Sequence, residues 1–127
     1  MSRRLPPGAA AAAVAAGGLL GALGRFALTG SPVSELTALA LVNGAGTLAL
    51  AVLLSALHGI DSARASGWRL FAGTGVCGSL TTCSALGIAL LRTDPATALL
   101  AGAGFAVGGT LCAGLGWWAG RRLRPRL

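Results

Sequence analysis

Residues 75–86 of this chain read GVCGSLTTCSAL, and these small and hydroxyl-bearing side chains interrupt a stretch that is otherwise strongly apolar. Gly75 and Gly78 weaken a helix, while serine and threonine hydroxyls can satisfy backbone groups that a break in the helix releases. Inside a membrane, non-helical backbone is tolerated only where protein or water surrounds it. The stretch therefore allows two alternatives: a helix broken beside a partner or an ion, or an unbroken helix whose small residues form a packing face.

The composition indicates that the rest of the chain lies in a bilayer. Hydrophobic residues make up 54% of the 127 residues and charged residues 10%, with a mean hydropathy of +0.77. About a quarter of the residues of an average soluble domain are charged. A helix needs about 20 apolar residues to cross about 30 Å of hydrocarbon. The length therefore predicts one all-α integral membrane domain, residues 1–127, with four transmembrane helices.

Turn-forming residues and hydropathy place the predicted spans. The spans are approximately residues 8–28, 36–57, 70–91 and 96–119. A polar connector containing Arg64 and Arg69 is predicted between the second and third spans. Trp117 and Trp118 end the fourth span, where amphipathic rings suit the membrane interface. The N-terminal arginine pair and alanine run also resemble an export signal, but the apolar stretch is longer than a usual signal core and contains Arg25.

The ten basic residues are all arginines, and their distribution is asymmetric. With four spans, both termini and the middle loop share one side, which carries Arg3, Arg4, Arg64, Arg69, Arg121, Arg122, Arg124 and Arg126. The opposite side carries Arg25, Arg92, Glu35 and Asp94. The positive-inside rule therefore predicts a multi-pass protein of the cell membrane with both termini in the cytoplasm. The net charge of +7 is interpreted as a determinant of the orientation of the chain in the membrane, and no nucleic-acid partner is predicted.

The sequence does not predict an enzyme or a proton-coupled exporter. No carboxylate lies within a predicted span, where a proton relay or a cation-coupling site needs one. No nucleophile, base and orienting residue can be assembled into a catalytic set. Cys77, Cys83 and Cys112 are interpreted as small buried hydrophobic residues rather than as a disulfide or metal site. His58 is interpreted as an interfacial residue at a helix end rather than as a ligand.

Two polar residues in the spans are candidates for contact with an anion. Arg25 either extends to the membrane interface or lines an aqueous anion vestibule, because burying a guanidinium in hydrocarbon is costly. Asn43 either ties helices together or offers its NH2 donors to a passing anion. The residues alone leave both pairs of alternatives open.

Three motifs together resemble the CrcB/Fluc family of fluoride channels. The third-helix signature of that family, a glycine-flanked segment followed by hydroxyl residues and phenylalanines, is similar to residues 75–84. Residues 21–26 (GALGRF) resemble the end of the family's first helix, and residues 41–46 (LVNGAG) resemble its second-helix motif. The order of the motifs, the chain length and the number of spans agree with the same family.

The resemblance implies an antiparallel dimer of the dual-topology type, with the third helix broken in mid-membrane. It also implies a structural sodium ion at the dimer interface, held by the backbone carbonyls of Gly78 and Thr81, and it places Arg25 near the vestibule. The fluoride pathway that it implies contains Asn43, Thr82, Cys83, Ser84, Leu86, Phe105 and Thr110. The implied function is passive, fluoride-selective export of cytoplasmic fluoride, which relieves fluoride toxicity.

The sequence departs from the family pattern along this implied pathway. Cys83 and Leu86 stand where the family has two phenylalanines whose ring edges line the pore. Leu39 stands where the second helix of the family has a hydroxyl residue, and Gly109 and Ala113 stand where its fourth helix has hydroxyl residues. Thr110 is a candidate substitute for one of these hydroxyls. The residues of the implied break are thus retained to a greater degree than the residues of the implied pore wall.

The arginine distribution suggests a heterodimer. A subunit that inserts in both orientations needs a weak arginine bias, whereas the bias of this chain is strong. We therefore hypothesise pairing with a homologous subunit inserted the other way. Two alternatives remain: a non-conducting accessory or assembly subunit of such a channel, favoured by the missing ring edges, and a small four-helix multidrug exporter, disfavoured by the lack of a carboxylate in the spans.

Overall fold

The computed structural model describes residues 5–30, 32 and 34–124 of the chain. Their helices are α1 (Pro7–Thr29), α2 (Glu35–Ala56), α3 (Ala63–Trp68), a π-helix (Arg69–Cys77), α4 (Gly78–Leu80), α5 (Cys83–Leu91) and α6 (Pro95–Arg122). Among the described residues, four helices are long and apolar enough to cross a membrane, namely Pro7–Thr29, Glu35–Ala56, Ala63–Leu91 and Pro95–Arg122. The prediction of an all-helical protein with four membrane-spanning helices is confirmed. Arg3, Arg4 and Arg126, which entered the charge argument, lie outside the described residues.

Side-chain caps fix the start of α2 and of α6. Before α2, the Ser34 hydroxyl accepts the Thr37 N–H at 3.2 Å. Before α6, the Asp94 carboxylate accepts the Thr97 N–H at 3.0 Å, and a proline occupies the first helical turn. Hydrogen bonds from the Thr97 side chain and backbone lower the pKa of the Asp94 carboxyl. These caps set the starts of α2 and α6, which agree with the predicted starts of the second and fourth spans to within a few residues.

The third span begins at Ala63, well before the predicted start at residue 70. The Ser62 hydroxyl accepts the Ala65 N–H at 3.1 Å and caps α3 at this point. Arg69 lies inside the helical stretch rather than in a loop, because its guanidinium donates hydrogen bonds to the carbonyls of Leu57 and Ile60. The predicted connector between the second and third spans is therefore too long at its C-terminal side. The fourth span also continues beyond its predicted end, to Arg122.

The third span contains two threonines, Thr81 and Thr82, whose backbone is not helical, although the Thr81 N–H still donates to the Cys77 carbonyl at 3.1 Å. These two residues are called the interruption below. Thr81 has φ −78° and ψ 149°, and Thr82 has φ −153° and ψ 118°, so both residues are extended. The Thr82 hydroxyl accepts the Ala85 N–H at 3.3 Å and caps α5. A π-helix, which is rare and often lies near functional sites, precedes this interruption.

Close helix packing holds the interrupted span against its neighbours. A Cβ atom at Gly17 would collide with the Phe71 carbonyl oxygen, so α1 approaches the π-helix closely only because this position is glycine. Between α2 and α6, the fully buried Ser55 hydroxyl donates to the Trp117 carbonyl at 2.7 Å. Leu39 and Val42 of α2, 1% and 0% exposed, form a small core with α5. This core lies directly beside the extended threonines.

Candidate functional site

Asn43 on α2 holds the extended segment of the third span. Its Oδ1 accepts the Thr82 N–H at 2.7 Å, and its Nδ2 donates to the Thr82 carbonyl at 3.2 Å. One side-chain amide thus satisfies both backbone groups of a residue that has left the helix, as a buried backbone requires. Of the two alternatives for Asn43, the contacts show the helix-tying one. The second N–H of Nδ2 takes no part in this pair, so the amide retains one donor for a ligand.

The same arrangement frees two backbone carbonyls. In a continuous α-helix, the carbonyl of Gly78 would accept the N–H of Thr82, and the carbonyl of Thr81 would accept the N–H of Ala85. The Thr82 N–H is instead donated to Asn43, and the Ala85 N–H is donated to the Thr82 hydroxyl. Gly78 and Thr81 therefore lose their helical acceptor roles, and carbonyl oxygens in this situation are chemically suited to bind a hard cation.

A groove of about 740 Å³ lies between α2, α5 and α6. It brings together four residues of the sequence-predicted pathway, Asn43, Cys83, Leu86 and Phe105, and it also includes Thr81. Thr47 and Cys112 line this groove too, and sequence analysis did not select them. Thr47 follows Asn43 by one helical turn, and this spacing is the sequence signal that would have identified it.

A second cavity, the vestibule, has a volume of about 610 Å³. It brings together three further sequence-predicted residues, Arg25, Thr82 and Ser84, with the Thr82 and Ser84 hydroxyl oxygens 3.3 Å apart. Arg25 is half-buried. Because Thr82 lines the vestibule and its backbone is bound to Asn43 in the groove, this pair stands between the two cavities.

The vestibule contains a carboxylate that lies one residue before the predicted second span. Glu35 is the first residue of α2 and lines the vestibule, and its carboxylate is 3.9 Å from the guanidinium of Arg92. Both side chains are largely exposed, so the pair contributes little to stability. Ser34, a favoured N-cap residue immediately before the apolar run, is the sequence signal that would have placed Glu35 in the first helical turn.

Two sequence-predicted site residues line neither cavity. Thr110 is exposed on α6, and its hydroxyl donates to the Ala106 carbonyl of the same helix at 2.8 Å. Gly78 is exposed and lies one helical turn before the extended threonines. The remaining predicted residues divide between the groove and the vestibule on either side of the Asn43–Thr82 pair.

The fold and the site define a class of protein. Helices of membrane-spanning length enclose a helix interruption whose backbone is satisfied by a side chain from a neighbouring helix, between two cavities. Such interruptions are typical of membrane proteins that bind or conduct small ions. Residues 12–120 match the family model described as CrcB-like protein, Camphor Resistance (CrcB). The chain belongs to the CrcB family.

Curated relatives match much of the chain. A protein of Rhodococcus jostii named Fluoride-specific ion channel FluC 1 is 41% identical over 113 residues, covering 89% of this chain and 86% of that protein. A protein of the same name from Halobacterium salinarum is 38% identical and covers 80% of this chain and 82% of that protein. The Fluoride-specific ion channel FluC of Thermococcus gammatolerans is 46% identical over 82 residues, 58% of this chain and 62% of that protein. No solved structure matches the chain.

Proposed function

We propose that this chain is a subunit of a fluoride-selective ion channel of the cell membrane. The channel lets cytoplasmic fluoride leave passively and so relieves its toxicity. The observation that carries this proposal is the Asn43–Thr82 pair between two cavities, in a chain of the CrcB family whose relatives are named as fluoride-specific ion channels. Fluoride is small and strongly hydrated, so a pathway must replace its water with fixed donors.

The proposed pathway starts at the vestibule and passes the threonine interruption into the groove. Arg25 favours an anion in the vestibule, where the Thr82 and Ser84 hydroxyls provide donors. The free N–H of Asn43 is the next donor, and beyond it the wall is formed by Cys83, Leu86 and Phe105. We leave Thr110 out of this pathway, because its hydroxyl is bonded within α6 and lines neither cavity.

We further propose that the carbonyls of Gly78 and Thr81 hold a structural sodium ion. The residues fit this role, because the N–H groups that would occupy these carbonyls are bound elsewhere. A sodium ion would supply a fixed positive charge that makes the nearby potential more favourable for an anion. Two carbonyls are fewer ligands than a hard cation takes, so a second subunit would complete the site.

This incomplete site supports a dimer in which two interrupted helices meet in mid-membrane. We propose that the dimer is antiparallel and that this chain has both termini in the cytoplasm, because its arginines are concentrated at one end. The same bias supports a heterodimer with a homologous subunit of opposite orientation. In such a dimer, the arginine distribution of each subunit sets its orientation in the membrane, and neither subunit has to insert in both orientations.

A second candidate function is that of a non-conducting accessory or assembly subunit. It is favoured by the composition of the groove, where Phe105 is the one aromatic residue among the described lining residues. Cys83 and Leu86 lack the electropositive ring edges that can stabilise an anion. In this alternative, the chain contributes the interruption and its carbonyls while the partner conducts.

Fluoride efflux from liposomes tests both candidates. The chain is reconstituted alone and with an oppositely biased homologue, and chloride efflux is the selectivity control. Fluoride-selective efflux that Ser84→Ala reduces, and that Thr110→Ala leaves unchanged, supports a pathway through this chain. Efflux that requires the partner and is indifferent to Ser84→Ala assigns the chain to the accessory role. Equal efflux of chloride and fluoride contradicts the proposed selectivity.

A further inference from the structure

One end of the helix bundle carries a large excess of positive charge. Here α2 and α6 end and α3 begins, and the described arginines at this end are Arg64, Arg69, Arg121, Arg122 and Arg124. Of the three acidic residues in the chain, only Asp61 lies at this end. The charge at this end is therefore not balanced by the protein's own carboxylates.

Two of these arginines have partners within the protein. The Arg69 guanidinium donates to the carbonyls of Leu57 and Ile60, and the Arg124 Nε donates to the carbonyl of Ser55 at 2.8 Å. The carbonyls of Ser55 and Leu57 at the end of α2 already accept the N–H groups of His58 and Ile60, and the arginine bonds add a further donor to each. Arg69 and Arg124 thus have a structural role.

Arg121 and Arg122 at the end of α6 have no such role. Both are exposed, and within the described part of the chain neither donates a hydrogen bond to a protein acceptor or pairs with a carboxylate. The Arg122 guanidinium lies over the Trp118 ring, 4.1 Å from its centroid. Stacking uses the face of the guanidinium, and its N–H donors, which lie in the plane, remain available.

The location of these two arginines indicates their partner. α6 is long and apolar enough to cross a membrane, and Trp118, which is 57% exposed, ends it with a ring of the kind that favours the membrane interface. The phosphate of a lipid headgroup is an anionic acceptor at that depth, and guanidinium groups bind phosphate with two parallel hydrogen bonds. We propose that Arg121 and Arg122 bind the headgroup of an anionic phospholipid, with Trp118 as a positioning residue for Arg122.

The opposite end of the bundle provides a matched contrast. Arg92 is also exposed, but it has the Glu35 carboxylate at 3.9 Å. It lies at the other end of the bundle and beside a carboxylate, so it provides a control arginine outside the proposed lipid site. The proposed lipid site does not depend on fluoride conduction, and its test measures lipid binding directly.

Native mass spectrometry of the purified full chain with added phosphatidylglycerol or phosphatidylcholine tests the proposal. Each arginine near an anionic membrane surface strengthens attachment about fivefold, so Arg121→Gln with Arg122→Gln should weaken phosphatidylglycerol binding about twenty-five-fold. Arg92→Gln should leave it unchanged. Equal retention of the two lipids by the wild type, or unchanged retention by the double variant, would overturn the proposal.

Two further variants separate headgroup recognition from charge alone. Arg122→Lys keeps the charge but loses the planar fork, and we expect phosphatidylglycerol binding between that of the wild type and the double variant. Trp118→Leu should reduce the preference for phosphatidylglycerol over phosphatidylcholine without changing the charge, and an unchanged preference would contradict the positioning role. Displacement of the lipid by excess inorganic phosphate would assign the site to a small anion and overturn the assignment to a lipid.

Discussion

Replacing Asn43 by alanine should release the extended threonines from α2. The substitution removes two hydrogen bonds, at 2.7 Å and 3.2 Å, and leaves the Thr82 N–H without its acceptor. Each bond contributes about 0.5–1.5 kcal/mol net, and a buried donor left unsatisfied costs about 1–3 kcal/mol. Because Thr82 is only partly buried, we expect a local loss of about 2–3 kcal/mol. This loss corresponds to an increase of about 30- to 150-fold in the population of the open segment.

Hydrogen exchange at the Thr82 amide measures this opening directly. In the wild type this amide is protected by a side chain rather than by the helix, so its exchange should report on Asn43 alone. Asn43→Asp is the matched variant, because its carboxylate can still accept the Thr82 N–H but has no donor for the Thr82 carbonyl. We expect Asn43→Asp to protect Thr82 less than the wild type but more than Asn43→Ala, because one of the two hydrogen bonds is lost, and to lose fluoride efflux through its negative charge. Unchanged hydrogen exchange at Thr82 in Asn43→Ala would refute the conclusion that Asn43 holds Thr82 in place.

Three further substitutions test the packing, the vestibule and the contact between α2 and α6. Gly17→Ala should lower the free energy of unfolding by about 1–3 kcal/mol through overpacking, whereas Gly18→Ala, which meets open space, should not shift the melting temperature. Glu35→Gln should raise fluoride efflux a few-fold at low ionic strength, with the gain lost in high salt, and equal acceleration by Asp94→Asn at the same end would contradict a vestibule effect. Ser55→Ala should cost about 1 kcal/mol in thermal unfolding, since it removes a buried hydrogen bond, and an unshifted melt would count against that bond.

The number of helices could be predicted because hydropathy and turn residues are local signals. The start of the third span could not be predicted, because a charged residue such as Arg69 favours a loop in a hydropathy argument. Only the tertiary structure shows that its guanidinium binds the carbonyls of Leu57 and Ile60. The partner of Asn43 is likewise a tertiary feature, since Thr82 is 39 residues away in sequence. Sequence patterns select polar residues in apolar spans, but only the packing of α2 on the third span decides which backbone groups they meet.

The residues that hold the interruption and those that line the groove are under different physical demands. Asn43 satisfies one donor and one acceptor of Thr82, because its amide carries an acceptor oxygen and a donor nitrogen side by side. Cys83 and Leu86 line an open groove rather than the packed core, so their identity has little effect on whether the chain folds. The fold can therefore keep its interruption while the wall of the groove changes. The hydrogen bonds between Asn43 and Thr82 are therefore a requirement of the fold, whereas the side chains at positions 83 and 86 affect the properties of the groove that they line.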